Sequence, residues 1–549
     1  MTDFLFIDYQ NDSRQNRSLK KQKYGFVQRT SHRKQRLVAI GRLKSSTLVL
    51  RQRLPLPYIP SEIERTEPGR AEKIEQDGSE SSAATAGTDT QQFKQIIPVA
   101  GIGSPKTLLG DGFIDPFSSS AFPMTEFMNS FFHQLRHFTI PGSYPLDKSR
   151  MSVWWWQQGL SQPVIQLALL VSAAGHQNAM NSLNNTASGH LQQSVREHLR
   201  LQGNMIGMLN GLLRDTAAAK STVLIVGSLR AIEAIQGNVE AVVAHTKGLE
   251  VLIQLNGGLE AMDHMILSKL YHGDIMRAAL TNTPPTLPLT ATWRSEIRQE
   301  TEVFYSTRNF MTYLDERYRK TAFQLYVLGT SFFAAPWYEG LEDSMKNFLH
   351  LSQRSIQYYE VACLRPSIIL PTDNDLFVLL EYQLISIRYP QKPAASCTIS
   401  TLLHEPLRLT LFIYLNMCVW RFQVFPVMQY MVNPLLQSLS STAPVPTLER
   451  IKQGAPDVLF WILFMGGMAS RGHEGHSWFV AQLVELTLDL GIRDWFGARE
   501  ILGGFLFSDQ PGQLGGEELW EQVIRPEQLR LLSTSDTECG LRSCQYQTH

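Results

Sequence analysis

The sequence predicts an all-α fold, a large multi-helical domain of antiparallel helix pairs behind a basic N-terminal arm and a linker. Three observations carry that prediction. Apolar residues recur at helical spacing from about residue 125 onward, and glycines and helix-capping residues punctuate the segments. No run of alternating β-branched residues is long enough to propose a sheet.

The densest signal lies between Gly454 and Val523. Val458 to Met468 is apolar on every side apart from Gly466 and Gly467, as expected of a helix buried all round. Trp478 to Leu490 follows, with Phe479, Leu483, Leu486 and Leu490 on one stripe and Gln482, Glu485 and Asp489 opposite, and Gly491 supplies the stop. Asp494 is then a helix N-cap, with Trp495, Ala498, Leu502 and Phe505 facing inward.

Upstream, Phe127, Phe131 and Leu135 repeat every four residues, and Val164 to Met180 reads as a second helix. A loop at Ser182 to Gly189 precedes a longer helix from about Leu191 to Leu213. Val195, Leu199, Ile206, Leu209 and Leu213 form its predicted inner stripe, with Arg196, Glu197, Arg200 and Gln202 outside. Ala217 to Gln236 stops at Gly237; Asn238 caps Val239 to Leu255, and Gly257 with Gly258 ends it. A proline-rich loop after Leu280 leads to an aromatic and charged stretch, Arg294 to Tyr326. Helical patterns resume over Asp343 to Leu364, Asp373 to Tyr389 and Glu405 to Phe422.

The predicted organisation is a basic arm (1–55), a flexible linker (56–112), the helical domain (113–525) and a polar C-terminal tail (526–549). The 549 residues carry no net formal charge, yet residues 1–55 hold 13 Lys and Arg against 3 Asp, so the arm is +10 and the remainder −10. A basic arm on an acidic body suits a polyanionic partner, or folding of the arm onto its own body. The arm's candidate contact residues are Lys20, Lys21, Lys23, Arg29, Arg33, Lys34 and Arg36. Three readings stand side by side for them: a solvated tail, a nuclear-import signal and phosphate contact with nucleic acid. Residues 60–92, rich in Glu, Ser, Thr and Ala, have too little bulky apolar surface to offset the entropy of ordering, hence the linker.

Five cysteines at scattered positions, none before Cys363, are not a disulfide framework and suit a reducing compartment. No signal peptide is expected, and the most lipid-like window, Leu407 to Val432, is broken by Arg408, Asn416, Arg421 and Gln423, so no membrane partner is expected. Gly101 to Lys106 lacks phosphate-loop spacing. His473-Glu474-Gly475-His476 has no third ligand nearby and reads as a solvated loop, while Trp154-Trp155-Trp156 reads as packing. No nucleophile elbow, kinase set or dinucleotide fingerprint is present; no cofactor is expected, and the chain is not expected to be an enzyme.

Several of these segments, in order, resemble the fungal-specific transcription factor domain family. They are the Gly110–Ser119 element with its DPFSS, and the helix pair joined at Gly237-Asn238 that continues through His245, Gly248, Leu249, Glu250 and Gly257-Gly258. The C-terminal set is Phe464 to Gly467, Trp478-Phe479, Arg499 to Leu502, Phe505 to Asp509 and Leu519-Trp520. The short apolar Phe4 to Ile7 followed by the basic stretch is similar to the N-terminus of members without a zinc cluster, and this chain has no cysteines there to build one. The resemblance implies a nuclear transcriptional regulator whose helical body acts through contacts with the transcription machinery or other regulators, or through a small-molecule effector between helices. DNA would be reached by the arm. A co-regulator or interaction scaffold that never touches DNA, and an α-helical enzyme with dispersed residues, stand as the alternatives.

Overall fold

Residues 125–183, 188–215, 220–297, 310–389, 398–440, 447–508 and 515–525 are described by a computed structural model, and all belong to one compact unit, Val99–His549. The basic arm, the linker and the DPFSS element lie outside the described residues, as does the tail beyond Arg525. Of the described residues, 80% are helical and none forms a strand.

The first helices are α1 (Glu126–Gln134), a π-helical turn at Leu135–Thr139, α2 (Ile140–Ser143), α3 (Lys148–Ser161), α4 (Pro163–Leu183) and α5 (Ser188–Asp215). Next come α6 (Lys220–Ile235), α7 (Val239–Leu255) and α8 (His264–Thr281), then a helical turn at 291–297. The middle of the chain gives α9 (Arg319–Val327), α10 (Thr330–Ala334), α11 (Asp343–Leu364), α12 (Asp373–Ser386) and α13 (Ile399–Tyr414), which runs into a second π-helical turn at Leu415–Val419. The C-terminal group is α14 (Val427–Leu439), α15 (Thr447–Gly454), α16 (Pro456–Ala469), α17 (His476–Asp489), α18 (Trp495–Gly504) and α19 (Gly516–Val523).

Capping residues define the ends as the sequence predicts. Asn238 Oδ1 accepts from Ala241 N at 3.2 Å, and Asp494 Oδ1 accepts from Gly497 N at 2.9 Å, each satisfying a donor that a helix start leaves unpaired. Gly237, Gly257 and Gly491 take positive φ where their helices end.

Every residue from Val458 to Ala469 is buried, so α16 is the centre of the C-terminal core. Its two glycines make room for neighbours. A Cβ on Gly466 would fall 2.3 Å from Phe479 of α17, and one on Gly467 would fall 3.0 Å from Leu519 of α19. Trp461 Nε1 donates to Leu506 O at 3.0 Å, which pins the strand-like exit of α18 to the same helix.

Helix α5 differs from its predicted phase. Ser194, His198, Leu201, Met205 and Leu209 are buried, whereas Val195, Leu199 and Ile206 are exposed, Leu199 by 60%. The inner face is rotated by one residue because it carries polar groups with partners. Ser194 Oγ donates to Asn178 Oδ1 of α4 at 2.7 Å, and half-buried Gln202, predicted to face out, donates to Glu233 Oε1 of α6 at 2.5 Å. Helix α13 also begins earlier than predicted, at Ile399, with Thr398 as its cap and Pro406 inside it.

A buried charge cluster ties α6 to α8. Asp274 accepts from Arg277 Nε at 2.7 Å and from the backbone of Thr286 and Leu287 at 2.6 and 2.8 Å, with Arg230 Nη1 at 3.6 Å. Burial, opposed by the Asp274 charge, draws the Arg230 guanidinium down to about 10.

Candidate functional site

Helices α6 and α8 approach closely because Gly227 and Gly273 face each other's helix. A Cβ on Gly273 would lie 3.3 Å from Ala231 Cβ and 3.6 Å from Gly227 O. On α8, the residues at helical spacing beside that contact are Lys269, His272, Gly273 and Met276, so one face of the helix places an amine and an imidazole one turn apart. Opposite them stand Ala168, Leu169 and Ser172 of α4 and Ser228, Ala231 and Ile232 of α6, where the alanines and serines are too small to fill the space. A cavity of about 120 Å³ results, lined also by Leu135 and Thr139 of the π-helical turn and by Tyr144 and Trp155. That volume is close to the roughly 150 Å³ of an apolar cavity that admits benzene.

Lys269 is the group of interest. Its Nζ sits 3.7 Å from the centre of the Tyr144 ring and 5.8 Å from that of Trp155, and among the described residues it has no hydrogen bond or ion pair. The nearest negative charge is Asp375, which is already held by His264 Nε2 at 2.8 Å. Burial, only partly opposed by Asp375, draws the Lys269 amine down to about 7. Tyr144 is fixed by its neighbour, since Trp155 Nε1 donates to its hydroxyl oxygen at 2.5 Å. His272 stacks on Trp420 at 4.1 Å between ring centres and on Phe422 at 5.8 Å; burial and then the Lys269 charge hold it neutral, down to about 3. Its buried Nε2 has no hydrogen-bond partner among the described residues.

A second, larger cleft of about 550 Å³ is lined by residues adjacent in sequence to those of the first. Tyr144 and Phe422 face the inner cavity, while Lys148 and Arg421, a few residues on, line the outer cleft with Tyr359, Glu360, Cys363 and Cys418. Asp147 and Arg421 are in the left-handed region, φ 47° and 60°, a costly conformation for residues with a side chain. Burial first and the Arg421 charge second lower the Lys148 amine. Burial raises the Cys418 thiol, and the Cys363 thiol, on a residue with exposed surface, is also raised, by desolvation first and the Glu360 charge second. Glu360 accepts from Ser508 Oγ, which joins the Phe505–Ser508 stretch to this cleft.

The arm residues proposed to contact nucleic acid, Lys20, Lys21, Lys23, Arg29, Arg33, Lys34 and Arg36, lie outside the described residues. His473 and His476 do not converge. His473 Nε2 is 3.0 Å from Gln423 O, while His476 bridges Gly467 O at 3.1 Å and Gln522 Oε1 at 2.9 Å, so the predicted solvated loop is instead a half-buried clasp over α16. No group of three His, Cys, Asp or Glu among the described residues could hold a metal. No helix among them is long and apolar enough to cross a membrane. Of the three tryptophans, Trp155 is buried and Trp156 stacks on Phe132 at 5.1 Å, which is packing.

Sequence reasoning missed Lys269 and His272. A signal was present, because Lys269 sits among Leu267, Leu270 and Tyr271, all of them bulky and apolar or aromatic. No family model, curated protein or solved structure matches this chain.

Proposed function

We propose that the chain is a nuclear transcriptional regulator of the fungal type, whose helical body holds a small effector between helices and whose basic arm contacts DNA phosphates. The observation that carries the reading is the small cavity between α4, α6 and α8, which presents one amine without a hydrogen bond or ion pair in largely apolar surroundings. The ordered resemblance of the C-terminal and hairpin segments supplies the transcriptional context, and the +10 arm on a −10 body supplies a route to DNA.

The test is chromatin occupancy of the full-length chain and of a chain lacking residues 1–55, paired with duplex-DNA binding at stepped salt. Occupancy at discrete loci that falls without the arm, with affinity that drops as salt rises, supports the reading. A full-length protein that occupies no locus and binds no duplex at low salt overturns DNA contact. The co-regulator reading is favoured by the exposed apolar stripe of α5, Val195, Leu199 and Ile206, a surface suited to protein contact. Occupancy that persists without the arm but disappears with charged substitutions on that stripe would select it.

A further inference from the structure

We propose that Lys269 captures a small apolar aldehyde or ketone as an imine inside the cavity between α4, α6 and α8. The cavity has the size of about five or six non-hydrogen atoms and an apolar lining, so it selects a compact apolar body. Lys269 supplies its amine, and of the hydroxyl-bearing residues in the lining Thr139, Tyr144 and Ser228 are already bonded to His176, Trp155 and Leu224 O. No carboxylate among the described residues holds the amine as an ammonium, because Asp375 is engaged by His264. A half-buried lysine whose amine lies over aromatic faces, its pKa lowered chiefly by burial, keeps a share of its population neutral, which is the nucleophilic form.

The chemistry balances without any oxidant or reductant. The Nζ lone pair attacks the carbonyl carbon, the carbonyl π bond breaks, and its oxygen takes up the proton that the nitrogen releases, giving a carbinolamine. The nitrogen lone pair then forms the carbon–nitrogen double bond as the carbon–oxygen bond breaks, and the hydroxyl leaves as water with the proton that the nitrogen gives up. The largely apolar lining limits the water around the product, which would hydrolyse it. The effector class is therefore a carbonyl compound bound reversibly and covalently. This rests on the reading of the cavity as the effector pocket.

The experiment incubates the full-length protein with butanal, adds cyanoborohydride to trap the imine as a secondary amine, and maps alkylated lysines by peptide mass spectrometry. Lys269 is expected to be alkylated at least about tenfold faster than any other lysine. Ser228→Leu, which fills the cavity without touching the amine's chemistry, is expected to suppress that labelling to the level of surface lysines. Labelling of Lys269 no faster than that of other lysines overturns the proposal, as does unchanged labelling in Ser228→Leu. A third overturning result is protection of the native fold by butyrate but not by butanal, which would make Lys269 an anion-binding ammonium. Trapping is measured without DNA, so its failure leaves the occupancy experiment intact, and loss of occupancy leaves trapping intact.

Discussion

Gly466 of α16 lies under the ring of Phe479 of α17, so close that a methyl group on Gly466 would sit 2.3 Å from Phe479 Cε1 and 2.7 Å from its Cζ. Alanine is normally favoured over glycine inside a helix by up to about 1 kcal/mol. Here the clash dominates, because both partners are buried and neither helix can shift without disturbing Trp461 and Leu519. Gly466→Ala is expected to destabilise the domain by about 1–3 kcal/mol in urea unfolding. Gly248→Ala, on the exposed side of α7 where a Cβ meets nothing within 4 Å, should instead stabilise by roughly 0.5–1 kcal/mol. Equal effects at the two sites would mean that α16 and α17 are not in contact at this glycine.

The rotated phase of α5 gives a second test. Met205 is buried and Leu199 is exposed, the reverse of what the apolar stripe suggests. Met205→Ala should cost about 2–5 kcal/mol. Leu199→Lys should change stability by less than about 0.5 kcal/mol, since it removes no buried contact. A large loss from Leu199→Lys in a monomeric sample would restore the stripe to the core.

These two helices also show where sequence stops being informative. For α16, all faces are apolar, so its burial follows from composition and no phase has to be chosen. For α5, apolar and polar residues compete for the inner face, and the winner depends on Asn178 and Glu233 in other helices. The cavity is illegible for the same reason on a larger scale. Ala168, Gly227, Ala231 and Gly273 are unremarked small residues until three helices bring them together, and only then does Lys269 stand over a void. The clasp made by His476 likewise needs Gln522, 46 residues away.

That clasp is expected to be structural. His476 holds the end of α16 through Gly467 O and reaches α19 through Gln522 Oε1. His476→Ala should cost about 1–3 kcal/mol, because it leaves the Gln522 amide without this partner and Gly467 O with the Ser470 hydroxyl alone in place of the pair. Treatment of the native protein with a chelator should leave its thermal midpoint unchanged. A midpoint that falls on chelation would turn the histidine pair into a metal site.

The cluster around Asp274 should be the most sensitive polar point in the domain. Arg230 is fully buried, and Asp274 is its only ion-pair partner among the described residues, so Asp274→Ala leaves a guanidinium in the core without that partner. The loss is expected to reach about 3–5 kcal/mol. Replacing Arg230 and Asp274 together by apolar residues of similar volume should cost less than the single Asp274→Ala change. If the double variant were the less stable of the two, direct attraction rather than relief of burial would be the dominant energy.

Lys269 makes the stability of the native state depend on pH with a definite sign. Its amine is drawn down to about 7 in the folded protein from an ordinary value of 10.5, chiefly by burial. Between those values the unfolded chain holds a proton that the folded chain has released, so this group makes stability rise with pH across that window. Below about 7 both states are protonated and the whole cost of burying the ammonium is present; above about 10.5 both are neutral and none remains. Lys269→Met removes the cost while keeping the volume. The variant is expected to be more stable than the native chain by roughly 1–3 kcal/mol at neutral pH, less than full linkage allows because Lys269 is only partly buried. The advantage should shrink steadily toward zero as the pH approaches about 10 in stepped urea titrations. A difference that stays constant from neutral to alkaline pH would place the amine in solvent and remove the basis for its reactivity.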